Sequence, residues 1–276
     1  MSEDFAARAQ LFQSLHHRPQ LLVLPNPWDA GSARMLERLG FPALASTSAG
    51  LAFSLGRVDG DGAVTADETF DHIRSLLAAT QLPISADLEN GFGAAPETVA
   101  ATIRRAAEVG LAGASIEDAS YDPAAPLYDR TLATERIVAA VEVVKSLPRP
   151  FVLTARAENF IRGRPDLDDA LERLHAYDLA GADVLYAPGL PDAAAVRRAC
   201  SMTTKPFNYV AGIGKTRFTL AELAELGVRR VTIGTSFVRC ALGAFLRAAH
   251  EVLDHGTFGY IDGTPTVADI NALIGR

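Results

Sequence analysis

The sequence predicts an α/β protein of the (β/α)₈ TIM-barrel class, with an additional helical segment at the C-terminus. Three observations lead there. Short apolar runs alternate with longer amphipathic segments along most of the chain. The apolar runs are nearly continuous, which is typical of parallel strands buried beneath helices. Eight such strand–helix units can be counted, which favours a closed barrel over a doubly wound open sheet.

The strand candidates are short segments rich in Val, Leu, Ile and Ala. They are residues 21–25, 43–47, 83–89, 113–118, 150–158, 182–188, 205–211 and 229–234. Gly40, Gly110, Gly181 and Gly227 each precede one of these runs by a few residues. Glycine at this place is typical of a helix C-cap, so each strand is predicted to follow the end of a helix.

The helix candidates lie between and after these strands. They are residues 30–39, 67–79, 96–109, 134–146, 167–180, 193–200, 220–226 and 236–253. No linker rich in Pro or Ser interrupts the pattern, so residues 1–276 are predicted to form one domain. Residues 256–276 are a C-terminal extension, in which a Gly- and Pro-containing break precedes a short helix at 267–274. The apolar face of that helix needs a surface, on its own subunit or on a neighbour.

Composition limits the class of function. The 276 residues are 49% hydrophobic and 21% charged, with a net charge of −7, so binding to nucleic acid or to an anionic membrane is not expected. Cys200 and Cys240 are far apart in the sequence, which predicts no disulfide framework and fits a cytoplasmic protein. We expect neither a secretory signal nor a membrane span.

Acidic residues follow several of the predicted strands, where a barrel builds its active site. Asp87 and Glu89 end the third strand and point to the same side, Glu117 ends the fourth, and Asp59 follows the second. Carboxylates that converge on one barrel mouth repel one another unless a cation lies among them, and hard oxygen ligands suit Mg²⁺ or Mn²⁺. The alternative is that these acids are solvated or cap the next helix.

A basic residue and three hydroxyls complete the predicted mouth. Arg156 ends the fifth strand, and its guanidinium suits a substrate carboxylate or phosphate. An internal salt bridge to Glu158 or Glu117 is the alternative, and it is compatible with anion binding. Ser46, Thr47 and Ser48 end the second strand and could bind an oxyanion through hydroxyl and backbone N–H groups.

The ordered motifs resemble the isocitrate lyase/phosphoenolpyruvate mutase superfamily. They are Pro-Asn-Pro-Trp-Asp-Ala-Gly-Ser-Ala at 25–33, Ser46 with Asp59, Ser-Ala-Asp-Leu-Glu-Asn-Gly-Phe-Gly at 85–93, Ser-Ile-Glu-Asp at 115–118, Thr-Ala-Arg-Ala-Glu at 154–158 and Pro-Phe-Asn at 206–208. The resemblance implies that Asp59, Asp87, Glu89 and Glu117 surround Mg²⁺, partly through waters. It also implies that Arg156 binds the substrate carboxylate, while Ser46–Ser48 and Asn208 line the pocket.

The loop after the fourth strand departs from this family. Residues 119–128 read Ala-Ser-Tyr-Asp-Pro-Ala-Ala-Pro-Leu-Tyr. They contain neither the Cys of the isocitrate and methylisocitrate lyases nor the Asn of the phosphoenolpyruvate mutases. Tyr121, Tyr128 or a water is therefore left as the expected proton donor.

The resemblance implies chemistry through a pyruvate-type enolate. The sequence favours a Mg²⁺-dependent C–C lyase or decarboxylase acting on a small α-keto or hydroxy acid. A C–P phosphonomutase or phosphonopyruvate hydrolase is the first alternative, and a non-catalytic keto-acid-binding barrel is the second. Members of the family exchange a C-terminal helix between barrels, so a homo-oligomer, a dimer or tetramer, is expected here. The segment after Gly256 would contact the neighbour, or else would plug the N-terminal end of its own barrel.

Overall fold

A computed structural model describes residues 3–214 and 216–275 and contains the predicted barrel. Its parallel strands are β1 Leu22–Leu24, β2 Leu44–Ala45, β3 Ile84–Asp87, β4 Gly113–Glu117, β5 Val152–Arg156, β6 Val184–Tyr186, β7 Phe207–Val210 and β8 Arg230–Thr232. They pair in the order β1-β8-β7-β6-β5-β4-β3-β2. Every strand lies inside the segment predicted for it. Each is shorter than that segment, because the polar ends of the segments belong to the loops.

The helices alternate with the strands. They are α1 Glu3–His16, α2 Ala30–Arg38, α3 Ser48–Ser54, α4 Ala66–Ala79, α5 Pro96–Glu108, α6 Arg130–Ser146, α7 Leu167–Ala180, α8 Ala193–Ser201, α9 Leu220–Glu225, α10 Ser236–His255 and α11 Val267–Ile274, with a 3₁₀ turn at Gly259–Ile261. Helices α1 and α3 were not predicted from the sequence. Thr47 accepts a hydrogen bond from Gly50 N at 3.2 Å and caps α3, so the hydroxyl-rich segment begins a helix as well as lining the mouth.

The barrel is nearly closed, and β1 and β2 meet at its seam without a regular ladder. One backbone hydrogen bond crosses there, from Ala45 N to Pro25 O at 3.0 Å. The Asn26 side chain strengthens the seam. Its Nδ2 donates to Ser46 O at 2.8 Å, and its Oδ1 accepts from the backbone N–H groups of Ile233 and Gly234. A side-chain amide therefore links the ends of β1, β2 and β8.

Helix α1 closes the N-terminal end of the barrel. Its Ala9, Phe12 and Leu15 are buried in one apolar cluster with the first residues of several strands, among them Val152 and Val184. This corrects one expectation. The C-terminal extension does not plug that end, because α1 already fills it.

The C-terminal segment instead packs on α2 of the same chain. Arg34 Nη1 donates to Ile274 O at 3.2 Å and Arg38 Nη2 to Gly275 O at 2.6 Å. The preceding helix, α10, covers little of its own barrel, since Val238 is its one buried residue in this structure. No helix in the described ranges is long and apolar enough to cross a membrane.

Candidate active site

A cavity of about 310 Å³ opens at the carboxyl ends of the strands. Most of the residues predicted to bind substrate or metal line it. They are Ser46, Thr47, Ser48, Asp59, Asp87, Arg156 and Asn208. Glu89, Glu117, Tyr121 and Tyr128 do not line the cavity. The sequence therefore identified the mouth, and the structure separates residues on its wall from residues behind the wall.

Asp87 and the serines form one side of the cavity. Ser48 Oγ donates to Asp87 Oδ2 at 2.9 Å, and Asp87 N donates to Ser46 Oγ at 2.9 Å. These bonds hold the start of α3 against the end of β3. Asp87 is only partly buried, so its carboxylate remains available to a cation in the cavity.

Arg156 is held by carboxylates on several sides. Its Nε pairs with Glu158, while its Nη1 lies 3.2 Å from Glu117 Oε2 and 3.6 Å from Asp87 Oδ1. Burial by itself would lower the pKa of Arg156, but the charges of Glu158 and Glu117 raise it well above its usual value. The predicted salt bridge is present, and it fixes the guanidinium at the cavity wall.

Behind Asp87, the loop after β4 brings a tyrosine onto two acids. Tyr121 Oη donates to Glu89 Oε2 at 3.0 Å and lies 3.5 Å from Glu117 Oε1. Tyr121 (φ 63°) and Glu89 (φ 50°) both adopt the left-handed backbone conformation that non-glycine residues rarely occupy. Such local strain is common at functional sites and is offset by surrounding contacts.

Arg162, six residues beyond Arg156, packs against the layer formed by Glu89, Glu117 and Tyr121. Its Nη2 lies 3.2 Å from Glu117 Oε1, its Nη1 donates to Gly60 O at 3.3 Å, and its guanidinium lies over the Tyr121 ring. The loop carrying Asp59, the loop after β4 and the loop after β5 therefore meet above the acids. Sequence reasoning missed Arg162, since its approach to Glu117 depends on the path of the loop.

The acids of this layer are protonated more readily than usual. Burial, followed by the charge of Asp87, raises the pKa of Glu89 to about 7. Burial also raises the pKa of Glu117, against the opposing effect of Arg156, and it raises that of Glu158 to about 8. The carboxylates outnumber the guanidinium groups, so the carboxylates repel one another. A bound cation would relieve this repulsion.

The donor set fits a hard divalent cation bound largely through water. Asp59, Asp87, Glu89 and Glu117 supply oxygen atoms only, as Mg²⁺ prefers. Within residues 3–214 and 216–275, no three acidic, His or Cys side chains are close enough to hold an ion together. Asp59 and Asp87 line the cavity, while Glu89 and Glu117 do not. This arrangement suits a cation held partly by direct ligands and partly through water.

Tyr128 has a different setting from Tyr121. Its ring lies under the guanidinium of Arg136, its Oη is 3.3 Å from Asn90 Nδ2, and its backbone N–H donates to Asp118 O at 2.9 Å. Asp118 in turn accepts a hydrogen bond from Tyr177. These contacts anchor the base of the loop, so the structure does not bring Tyr128 together with the predicted site.

The floor of the cavity holds a second buried arginine. Arg230, at the start of β8, lines the cavity and is only 3% exposed. Its Nε donates to Asn208 Oδ1 and its Nη1 to Thr154 Oγ1, both at 2.9 Å. Asn208 Nδ2 donates to Thr232 Oγ1 at 3.1 Å. Sequence reasoning found Asn208 but missed its arginine partner.

Comparison with known proteins gives a consistent result. Residues 12–253 match the family model described as phosphoenolpyruvate phosphomutase. A candidate lyase/mutase structure from Burkholderia cenocepacia J2315 is similar to this chain, with 51% identity, coverage of 100% of this chain and 98% of that one, and a TM-score of 0.97.

Two relatives have assigned reactions. A 2-methylisocitrate lyase of Halalkalibacterium halodurans is 28% identical over 90% of this chain and 83% of its own length. The structure of an oxaloacetate acetylhydrolase bound to its product oxalate is 27% identical, covers 99% of this chain and 96% of its own, and has a TM-score of 0.87.

Proposed function

The chain belongs to the phosphoenolpyruvate phosphomutase family of the isocitrate lyase/phosphoenolpyruvate mutase superfamily, and on that premise we propose that it is a Mg²⁺-dependent lyase or decarboxylase. It cleaves a C–C bond of a small α-keto or hydroxy acid and leaves a pyruvate-type enolate. The observation that carries this proposal is the convergence of Asp87, Ser46, Ser48 and Arg156 on one cavity.

Arg156 and the serines bind and orient the substrate. The guanidinium donates hydrogen bonds to the substrate carboxylate, and its pairs with Glu158 and Glu117 prevent it from rotating away. When bound near Asp87, Mg²⁺ would stabilise negative charge on the substrate's keto oxygen. The Ser46 hydroxyl accepts from the backbone N–H of Asp87 and keeps its own proton for this oxyanion, while Ser48 donates to the Asp87 carboxylate and holds it in place.

Tyr121, which does not line the cavity, is the proposed source of the proton that the enolate carbon takes up after cleavage, and an intervening water carries that proton to the carbon. Burial and the nearby charge of Glu117 raise the pKa of its phenol, so Tyr121 Oη stays protonated near neutral pH. Glu89, with a pKa of about 7, accepts its hydrogen bond and can return the proton. A tyrosine therefore takes the place of the thiol acid that the loop lacks.

A substrate panel tests the proposal. Purified protein is assayed with 2-methylisocitrate, oxaloacetate and phosphonopyruvate, each with Mg²⁺ and with excess chelator. We expect turnover of a C–C substrate only with the metal. Tyr121→Phe should lower kcat by about 10²-fold or more, while the matched control Tyr128→Phe should retain most of it.

Other outcomes would redirect the assignment. Turnover of phosphonopyruvate alone would establish C–P chemistry, which the family model's description favours as second candidate. Full activity in excess chelator would contradict a role for the metal. Keto-acid binding without any turnover would indicate a binding protein and not an enzyme. Equal losses in both tyrosine variants would remove Tyr121 as proton donor.

We also propose that the protein is a homo-oligomer in which α10 packs on a neighbouring barrel. Several large apolar side chains of α10 are exposed in the single chain, including Phe245 (66%), Leu246 (55%) and Leu253 (81%). A helix that leaves such a face in water is unstable alone and needs a partner surface. A second copy, whose own α10 leaves the same face of its barrel uncovered, provides one by symmetry.

Light scattering tests the assembly. Leu246→Glu and a chain ending at His255 separate α10 from the segment after Gly256. We expect Leu246→Glu to dissociate the oligomer, and Arg247→Glu, on the same helix, to leave it intact. A wild-type protein that is monomeric at micromolar concentration would contradict the proposal. Dissociation by the truncation alone would move the contact to the segment after Gly256.

A further inference from the structure

Arg230 is a buried cation whose partners are all neutral. Its Nε and Nη1 donate to Asn208 and Thr154, and Nη1 lies 3.4 Å from His16 Nε2. Burial, followed by the charge of Arg230, lowers the pKa of His16 to about 3, so this histidine is neutral at pH 7. Burial lowers the pKa of Arg230 itself to about 10, which still leaves it charged.

No carboxylate pairs with Arg230 among residues 3–214 and 216–275, whereas Arg156 and Arg162 pair with several. An unpaired buried charge is costly unless something compensates it. Arg149 is also buried without a carboxylate, but it lies away from the cavity and donates to the Ala107 and Pro150 carbonyls. Arg230 differs because it lines the cavity that receives the substrate.

Donors remain free around Arg230. Its Nη2 makes no hydrogen bond to the part of the chain that the structure describes, where only Nε and Nη1 have partners. Thr232 also lines the cavity, and its Oγ1 accepts from Asn208, so its own proton is available. A guanidinium edge and a hydroxyl together match the two oxygen atoms of a carboxylate.

We propose that Arg230 and Thr232 bind a second carboxylate of the substrate, so that the substrate is a 2-oxo dicarboxylate spanning the cavity from Arg156 to Arg230. This inference rests on the proposed function, because Arg156 and Asp87 must hold the 2-oxo end. Asn208 is then a positioning residue. It fixes Arg230 through Oδ1 and Thr232 through Nδ2, and one side chain sets the spacing of both donors.

Binding of matched acids tests the inference. The probes are 2-oxo monocarboxylates and 2-oxo dicarboxylates of four, five and six carbons, titrated calorimetrically with Mg²⁺. KM replaces Kd where a compound is turned over. At one chain length we expect the diacid to bind about 10- to 100-fold more tightly than the monoacid, as a charge-assisted bidentate contact allows.

Variants assign that preference to Arg230. Arg230→Gln should abolish it while changing monoacid binding by less than about twofold, and Arg230→Lys should retain part of it. Arg149→Gln, which also removes a buried cation, should leave the preference intact. Circular dichroism checks each variant for folding. If Arg230→Gln does not fold, the comparison of Arg230→Lys with wild type decides, and an undiminished preference in the lysine variant overturns the bidentate contact.

The outcomes separate the two proposals. Monoacid binding without a diacid preference, or a preference that survives Arg230→Gln, overturns the role of Arg230 and leaves the proposed function intact. Failure of every 2-oxo acid to bind with Mg²⁺ present, together with no turnover of 2-methylisocitrate, removes the proposed function itself. If phosphonopyruvate, and not the diacids, binds more tightly in a way that depends on Arg230, the carboxylate assignment is overturned.

Discussion

The two arginines of the cavity stand in opposite electrostatic surroundings. Arg156, on the wall, has Glu158, Glu117 and Asp87 around it, and these charges raise its pKa well above the usual value. Arg230, on the floor, has only neutral partners, and burial lowers its pKa to about 10.

This difference shows that charge and residue type alone do not define a role. At Arg156 the carboxylates of the protein already balance the positive charge. That guanidinium therefore acts mainly by the fixed positions of its N–H donors. At Arg230 the protein leaves the charge unbalanced, so an anionic ligand gains more from it. Changes on the wall should therefore act mainly on catalysis, and changes on the floor on ligand choice and stability.

The largest effect should come from removing the central acid of the wall. Asp87→Ala should lower kcat on the order of 10³-fold, because the cation loses one of the two carboxylates that line the cavity, Asp59 and Asp87. The melting temperature of the metal-free protein should not fall, since one source of repulsion among the acids is gone. Steady-state kinetics at saturating Mg²⁺ and thermal unfolding measure both. Asp71→Ala, an exposed acid on α4, is the control, and near-normal kcat in Asp87→Ala would contradict a metal role.

The next largest effect should come from changing the shape of the Arg156 cation while keeping its charge. Arg156→Lys should lower kcat/KM by roughly 10²-fold, because an ammonium cannot copy the bidentate fork that meets carboxylates on two sides. Initial rates across substrate concentrations measure this loss. The exposed Arg74→Lys should be silent. If Arg156→Lys keeps its kcat/KM, the wall needs only a positive charge, and the contrast with Arg230 loses its geometric basis.

On the floor, the hydrogen bond from Arg230 to Thr154 should affect stability. Thr154 is fully buried, and Thr154→Val keeps its shape but removes the acceptor of a charged donor. We expect the free energy of unfolding to fall by about 1–3 kcal/mol. Urea denaturation measures it. Thr102→Val removes a neutral hydrogen bond to Gly91 O and should cost less; a larger cost there would show that the charge on Arg230 is not what makes Thr154 important.

At neutral pH the smallest effect should be that of His16, whose contribution to stability depends on pH. Since its pKa is about 3 in the fold and about 6.5 in the unfolded chain, only the unfolded chain takes up the proton between those values. The contribution of His16 to stability is therefore present above pH 6.5 and is lost as pH falls towards 3. Between pH 8 and pH 5, His16 should lower the free energy of unfolding of the wild type by about 2 kcal/mol, and His16→Gln should abolish that loss.

That prediction is measured as a difference between wild type and variant. The pKa values of Glu89 and Glu158 are raised, so these groups change stability in the opposite direction over the same pH range. Urea unfolding of both proteins at pH 8 and pH 5 cancels their contribution. An unchanged difference at the two pH values would show that His16 has the same pKa in the fold as in the unfolded chain, so that burial and Arg230 do not disfavour its charged form.

The sequence was sufficient for the barrel and for most of its mouth. Strand ends have a fixed place in this fold, so Asp87 and Arg156 could be located from the residues that precede them. The raised pKa values of Glu89 and Glu117, by contrast, depend on burial that only the packed structure defines. Helix α3 was missed because seven residues beginning with serine gave no periodic signal.

Arg230 escaped prediction for a specific reason. Arg229 and Arg230 are adjacent at the start of β8, and strand alternation sends them to opposite sides. Arg229 is exposed and Arg230 is buried, but the sequence alone does not say which of the two faces inward. The residue pattern indicated one outward and one inward arginine, and that signal could have been used.

The seam between β1 and β2 has a consequence for local motion. A regular ladder resists opening along its whole length, whereas here one backbone bond and the Asn26 side chain share the task. Ser46, whose carbonyl Asn26 holds, belongs to the segment that binds Asp87. Transient opening of the seam would therefore displace the serines before it disturbed the acids. Amide hydrogen exchange should be faster at Ala45, on the seam, than at Ala114, in the middle of the sheet.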